Sequence, residues 1–181
     1  MSTLHVENLK GLSSGGNANK IIVPSGQTLD ASNGFTPPSG HVIQIKVGGS
    51  TGWSTLNTTS YVDVLTCSIT PSATTSNVFV MVHINGVTCS GLSQFGTLEL
   101  YRDTTQIRKI SDILGYSVSH VHYNTDMSSN FYDEGVSTTS AVTYKLKMKY
   151  SSNSNGRIGW NNYGTTNNKT SSTITLMEIA G

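Results

Sequence analysis

The sequence predicts an all-β fold, an antiparallel jelly-roll-like β-sandwich preceded by an extended N-terminal arm. Three observations carry this. The 181 residues include 50 serines and threonines and 18 glycines, which furnish turns and β-compatible polar surface in place of helix. About eight to nine short segments alternate apolar and polar residues with period two. No stretch of about ten residues or more shows the 3.6-residue apolar period of an amphipathic helix. Eight short antiparallel strands suit a two-sheet jelly roll.

The length gives room for one ordinary domain and an appendage. Residues 1–40 are the expected appendage, an extended N-terminal arm for oligomerisation, and residues 41–181 the sandwich. The boundary falls at Phe35-Thr36-Pro37-Pro38-Ser39-Gly40, where two prolines fix φ and a glycine then frees it. Within the arm, "SGGNANKIIVPSGQTLDAS" has one apolar step, Ile21-Ile22-Val23, with Leu29 six residues after Val23. Ordering such a segment costs about 1–2 kcal/mol per residue in backbone entropy. So few apolar side chains cannot offset that cost alone, so the arm is either disordered or has its rungs buried by other chains, and the second is the expectation.

Past the boundary, His41–Val47 reads as the first strand, followed by a glycine-rich turn that holds Trp53. Tyr61–Ile69 sets Tyr61, Leu65, Cys67 and Ile69 on one face, with Asp63 interrupting and Val62 and Val64 on the other. Asn77–Ile84 is nearly continuously apolar, as a strand buried on both sides would be. Gly96–Arg102 and Gln106–Ile110 form a hairpin around Asp103-Thr104-Thr105, and Tyr116–Tyr123 follows. Ala141–Tyr150 alternates most strictly, with Lys145, Lys147 and Lys149 on its solvent face. Arg157–Trp160 and Ser172–Ile179 complete the set, and Met81, Met148 and Met177 are expected core filler.

Charged residues form only 12% of the chain, and 11 basic against 10 acidic side chains leave a net charge of +1. Nothing there marks a nucleic-acid or anionic-membrane partner. The opening MSTLHVENLK has no basic and apolar leader pattern, and no apolar run reaches the roughly 20 residues of a membrane span. The expectation is a soluble product made in the cytoplasm, without membrane insertion. Cys67 and Cys89 are too few for a disulfide framework and read as small buried hydrophobes, with their pairing left open.

The chemistry-bearing candidates are sparse. His120 and His122 project to one face of a strand, with Asp126 nearby, a pattern open to a metal or simply to two partly exposed histidines. Asp133-Glu134 in "SSNFYDEG" reads as a solvated turn, because adjacent carboxylates diverge. No nucleophile elbow, zincin motif or P-loop is present, so the expected protein is no enzyme and takes no cofactor. Asn57 and Asn168 match the glycosylation pattern formally. Ser151–Asn168 interleaves Arg157, Trp160 and Tyr163 with Asn and Gly, the material of adaptable recognition. Trp160 or Tyr163 could stack on a sugar; alternatively Ile158 and Trp160 face the core and Tyr163 a subunit contact. Phe131 and Tyr132 pose the same choice in a second segment read as a loop.

The arm segment quoted above, with its Pro/Gly junction, resembles the shaft or attachment segments of bacteriophage tail-fibre and other virion surface proteins, notably of marine and cyanobacterial phages. "FYDEGVSTTSAVTYKLKMKY" and "SSTITLMEIAG" are similar to the C-terminal trimeric jelly-roll domains of such proteins, of the C1q and tumour-necrosis-factor kind. The resemblance implies a homotrimer on the virion surface, assembled in the host cytoplasm. It also implies an arm docked through Ile21, Ile22, Val23 and Leu29 on a tail, portal or capsid protein, and a displayed sandwich that attaches to the host, with a cell-surface glycan as candidate partner. His120 and His122 resemble the H-x-H with which some trimeric fibres bind a metal on their axis. One clear rung, where long fibres repeat many, raises a capsid decoration or head-fibre protein as the alternative. A carbohydrate-active depolymerase is a further alternative, opposed by the short chain and the absence of well-placed paired acids.

Overall fold

The computed structural model describes residues 9–11, 13–18, 20–28, 37–51, 54–56, 58–89, 95–114, 123–151, 156–158 and 171–181. The chain forms two units, Met1–Thr36 and Pro37–Gly181. In the first, Gln27 N–H donates to Pro24 O at 3.0 Å and Gly26 takes φ 82°, closing the turn after Val23. A left-handed φ at the third turn position is where glycine is needed. Leu9, Ile21, Ile22 and Val23 are all exposed there. Pro37-Pro38-Ser39-Gly40 opens the second unit, with Gly40 N–H bonded to Ala180 O at 2.8 Å.

Among the described residues the second unit contains ten strands: β1 (Val42–Thr51), β2 (Ser54–Leu56), β3 (Val62–Ile69), β4 (Asn77–Cys89), β5 (Gly96–Arg102), β6 (Thr105–Leu114), β7 (Tyr123–Asp133), β8 (Val142–Tyr150), β9 (Gly156–Ile158) and β10 (Ser171–Ile179). They make one six-stranded and one four-stranded sheet. In the larger sheet the register passes from Thr51↔Ser171 to Ser54↔Ile158, so β2 prolongs β1 and β9 prolongs β10. That sheet therefore has four columns, β1/β2, β10/β9, β4 and β7, and the other has β3, β8, β5 and β6. Numbered along the chain, the columns run 1-8-3-6 and 2-7-4-5, all antiparallel, which is the jelly-roll order.

Alternation puts one side of each strand between the sheets. Val78, Val80, Val82 and Ile84 of β4 meet Ile174 and Leu176 of β10 and, across the gap, Leu98, Leu100, Tyr144, Leu146 and Met148. Burying each such side chain contributes about 1.5–3 kcal/mol. At one rim, β1 lies so close to β3 that a Cβ on Gly48 would strike the Thr66 carbonyl. This explains why Gly48-Gly49, expected as part of a turn, instead continues strand β1.

Several expectations are corrected here. A bulge between Asp63 and Leu65 shifts the phase of β3, so Leu65, Cys67 and Ile69 face inward while Tyr61 lies on the outer face of its sheet. "YNTDMSSNFYD" forms β7, although its second half was expected to be loop. Its inward residues Thr125, Ser129 and Asp133 dilute the apolar period of Met127 and Phe131. Met81 and Met177 are not core residues: they lie on the outer face of the larger sheet, and only Met148 of the three is fully buried. Residues 116–122 of the expected Tyr116–Tyr123 strand lie outside the described residues.

Candidate functional site

The outer face of the larger sheet is the feature that core formation leaves open. Cross-strand partners project to the same side, so the register lays out its rows. One holds Val42, Ile179 and Asn77; the next Ile45, Met177, Phe79 and Tyr132; the next Val47, Thr175, Met81 and Asn130; and the last Gly49, Thr173, His83 and Ser128. These rows contain no Asp, Glu, Lys or Arg. Val47 is 65% exposed, Ile45 54%, Val42 51%, and Met81 and Tyr132 42% each. The four remaining large exposed hydrophobics among the described residues belong to the arm. Toward one end the face sinks into a depression of about 320 Å³ lined by Met81, His83, Ser128, Asn130, Thr173 and Thr175. His83 Nδ1 and Ser128 Oγ are 2.6 Å apart within it.

The outer face of the smaller sheet is built oppositely. Glu99 is buried there, accepting hydrogen bonds from Tyr61 at 2.6 Å and Tyr101 at 3.1 Å. Burial, reinforced by the Glu99 carboxylate, pushes both phenols above their usual range. Lys147 lies 4.6 Å over the Tyr101 ring and Lys149 4.6 Å over the Tyr61 ring. Asp63 sits between Lys145 at 3.4 Å and Lys147 at 3.5 Å. The lysines expected to face solvent freely are folded down as a cover over tyrosines and carboxylates.

Two further carboxylates hold the sandwich together. Asp133, on β7, accepts from Arg102 of β5 at 2.8 and 3.0 Å, from Tyr144 of β8 at 2.8 Å and from Gly135 N–H at 3.1 Å. It therefore joins the two sheets, and the solvated turn expected at Asp133 is corrected to a buried ion pair. Burial, with Asp133 as acceptor, raises the Tyr144 phenol well beyond its ordinary value. Glu178 is completely buried on β10, with Ser72 N–H and hydroxyl at 2.6 Å, Ser76 hydroxyl at 2.7 Å and Gln44 amide at 2.6 Å. Burial alone would raise its pKa, but these donors outweigh it and hold the carboxyl below its ordinary range. All these partners tie strands and loops of the sandwich to one another.

The residues singled out from sequence do not converge. Phe131 points inward from β7 and packs against the core, with the Arg108 guanidinium 5.9 Å over its ring. Its neighbour Tyr132 lies on the apolar outer face, beside Phe79. Arg157 stands on β9 between Thr55 and Thr88, with its carbonyl accepting from Tyr150 at 3.0 Å. Gly156 beside it is required, since a Cβ there would strike the Tyr150 ring. Ile158 is buried in the core. Trp160, Tyr163, Leu29, His120, His122, Asn168 and Asn57 lie outside the described residues. Asp126 accepts from Gly86 N–H at 2.7 Å and so supports the bulge in β4. Among the described residues no three His, Cys, Asp or Glu side chains are grouped to hold a metal. Cys67 is buried and free, and burial pushes its thiol up. The apolar outer face itself was missed, although its signal was present: a run such as NVFVMVHI states that both faces of β4 are apolar.

No family model and no curated protein matches the chain by sequence. Among solved structures it is similar to the VP2 subviral particle of infectious bursal disease virus, at 12% identity and TM-score 0.44, over 77% of this chain and 34% of that one. It is also similar to the structure of infectious bursal disease virus Gt strain, at 14% identity and TM-score 0.44, over 88% and 43% of the respective chains. This chain thus spans less than half the length of either. The jelly-roll assignment rests on the strand order, independently of these similarities.

Proposed function

We propose that this chain is a non-enzymatic virion surface protein, a short trimeric fibre or spike that displays a jelly-roll sandwich for host-surface attachment. The observation that carries the reading is a jelly roll, an architecture used by viral capsid and lectin domains, with a completed core but an outer sheet face whose rows from Val42 to Ser128 expose apolar side chains and hold no Asp, Glu, Lys or Arg. A separate arm unit with exposed Ile21, Ile22 and Val23 supports anchoring on a tail, portal or capsid partner. The buried carboxylates are fully engaged in structural contacts, which supports a binding role over a catalytic one. Attachment to a host glycan would draw on Arg157, Trp160 and Tyr163.

A head location, as a decoration or head-fibre protein, is favoured by one observation: the described part of the arm holds only short turns, Gly15–Ala18, Asn17–Lys20 and Pro24–Gln27, and no strand. The test is gold-labelled antibody against the sandwich on intact virions. Label at the tail is the expected result. Label spread over the head would replace attachment by decoration, and virions without label would overturn the virion assignment.

A further inference from the structure

We infer that the outer face of the β1–β10–β4–β7 sheet is covered by a second copy of this chain, and that self-association runs through Ile45, Val47, Met81 and Met177. This inference rests on the homo-oligomeric part of the reading above and not on its three-fold count, since a face that meets its own copy makes a two-fold contact. Four rungs across four strands, at about 4.8 Å between strands and about 6.8 Å between rungs, present about 500 Å². Two such faces supply about 1,000 Å², the lower bound of a specific protein interface, so the whole face must be engaged. Charge depletion around an apolar centre is the composition of an interface core, and the four rows, free of Asp, Glu, Lys and Arg, impose no like-charge repulsion when they meet another copy, with Asp126 lying beyond them at the rim. The opposite sheet cannot serve in this way, because its outer face carries lysines and carboxylates already paired with one another.

The full chain is sized by light scattering and sedimentation at micromolar concentration, beside the double variant Ile45→Asp/Val47→Asp. Thr66→Asp, exposed on the opposite sheet, is the control. Both aspartates replace exposed side chains, and circular dichroism checks that the variant folds. The expected result is an oligomeric wild type and control, with the double variant at least about thirtyfold weaker in self-association. Peroxide footprinting gives an independent reading: Met81 is protected in the wild type and oxidised in the double variant, with buried Met148 slow in both. An oligomer that survives both aspartates, with Met81 still protected, overturns this face as the contact while leaving the oligomer in place. A monomeric wild type with Met81 freely oxidised overturns the inference together with the homo-oligomeric part of the proposed function.

Discussion

The two outer faces of the sandwich belong to sheets of equal width in columns, yet they solve the problem of a second sheet surface differently. On the smaller sheet, Glu99, Asp63, three lysines and two tyrosines satisfy one another, so the surface is finished within one chain. On the larger sheet, Val42, Ile45, Val47 and Met81 stay exposed with no charged neighbour in their rows. The difference shows that alternation alone does not identify a solvent face. What identifies one is whether its polar groups have partners in the same chain, and the larger sheet has none to offer around Val47.

The largest expected effect comes from cutting the link between the sheets. Asp133→Ala leaves the Arg102 guanidinium and the Tyr144 hydroxyl without their acceptor in a largely buried site. Breaking such a pair costs about 3–5 kcal/mol, read as a lower midpoint in denaturant unfolding. Next is Glu178→Gln, which sets an amide against donors from Gln44, Ser72 and Ser76 and costs about 1–3 kcal/mol. Because the folded carboxyl titrates below its ordinary 4.5, its contribution is complete above that pH and lost as pH falls through the lower folded value. Thermal midpoints followed below pH 4.5 should therefore fall more steeply for the wild type than for Glu178→Gln.

Smaller effects separate the two outer faces directly. Glu99→Ala strips both tyrosine hydroxyls of their acceptor and should cost about 1–2 kcal/mol, raising unfolding of the sandwich at fixed urea. Asp63→Asn removes a half-exposed charge from two lysines at 3.4 and 3.5 Å. Its effect should stay below about 1 kcal/mol and shrink further in high salt. Were Asp63→Asn to cost as much as Asp133→Ala, the view of the smaller sheet's surface as a loosely coupled cover would be wrong.

Much of the fold is legible from residue order because a strand with one buried side must alternate. Gly96–Arg102, Ser171–Ile179 and Val142–Tyr150 follow from that rule almost to the residue. The β7 strand does not, since its inward positions mix Met127 and Phe131 with Thr125, Ser129 and Asp133, and the last of these is stabilised only by Arg102 and Tyr144 arriving from other strands. Tyr61 was assigned to the wrong side for a related reason: a one-residue bulge inverts the phase of everything before it, and no local propensity announces the bulge.

The all-β class and the interior place of β4 in its sheet follow from the order of residues, because composition and period follow from covalent chemistry and the two-residue repeat. The column order, the pairing of buried carboxylates and the exposure of one apolar sheet face arise only when the strands assemble. Those depend on which strands meet across long separations in the chain, and a run such as NVFVMVHI fixes that both its sides are apolar without fixing what covers the second.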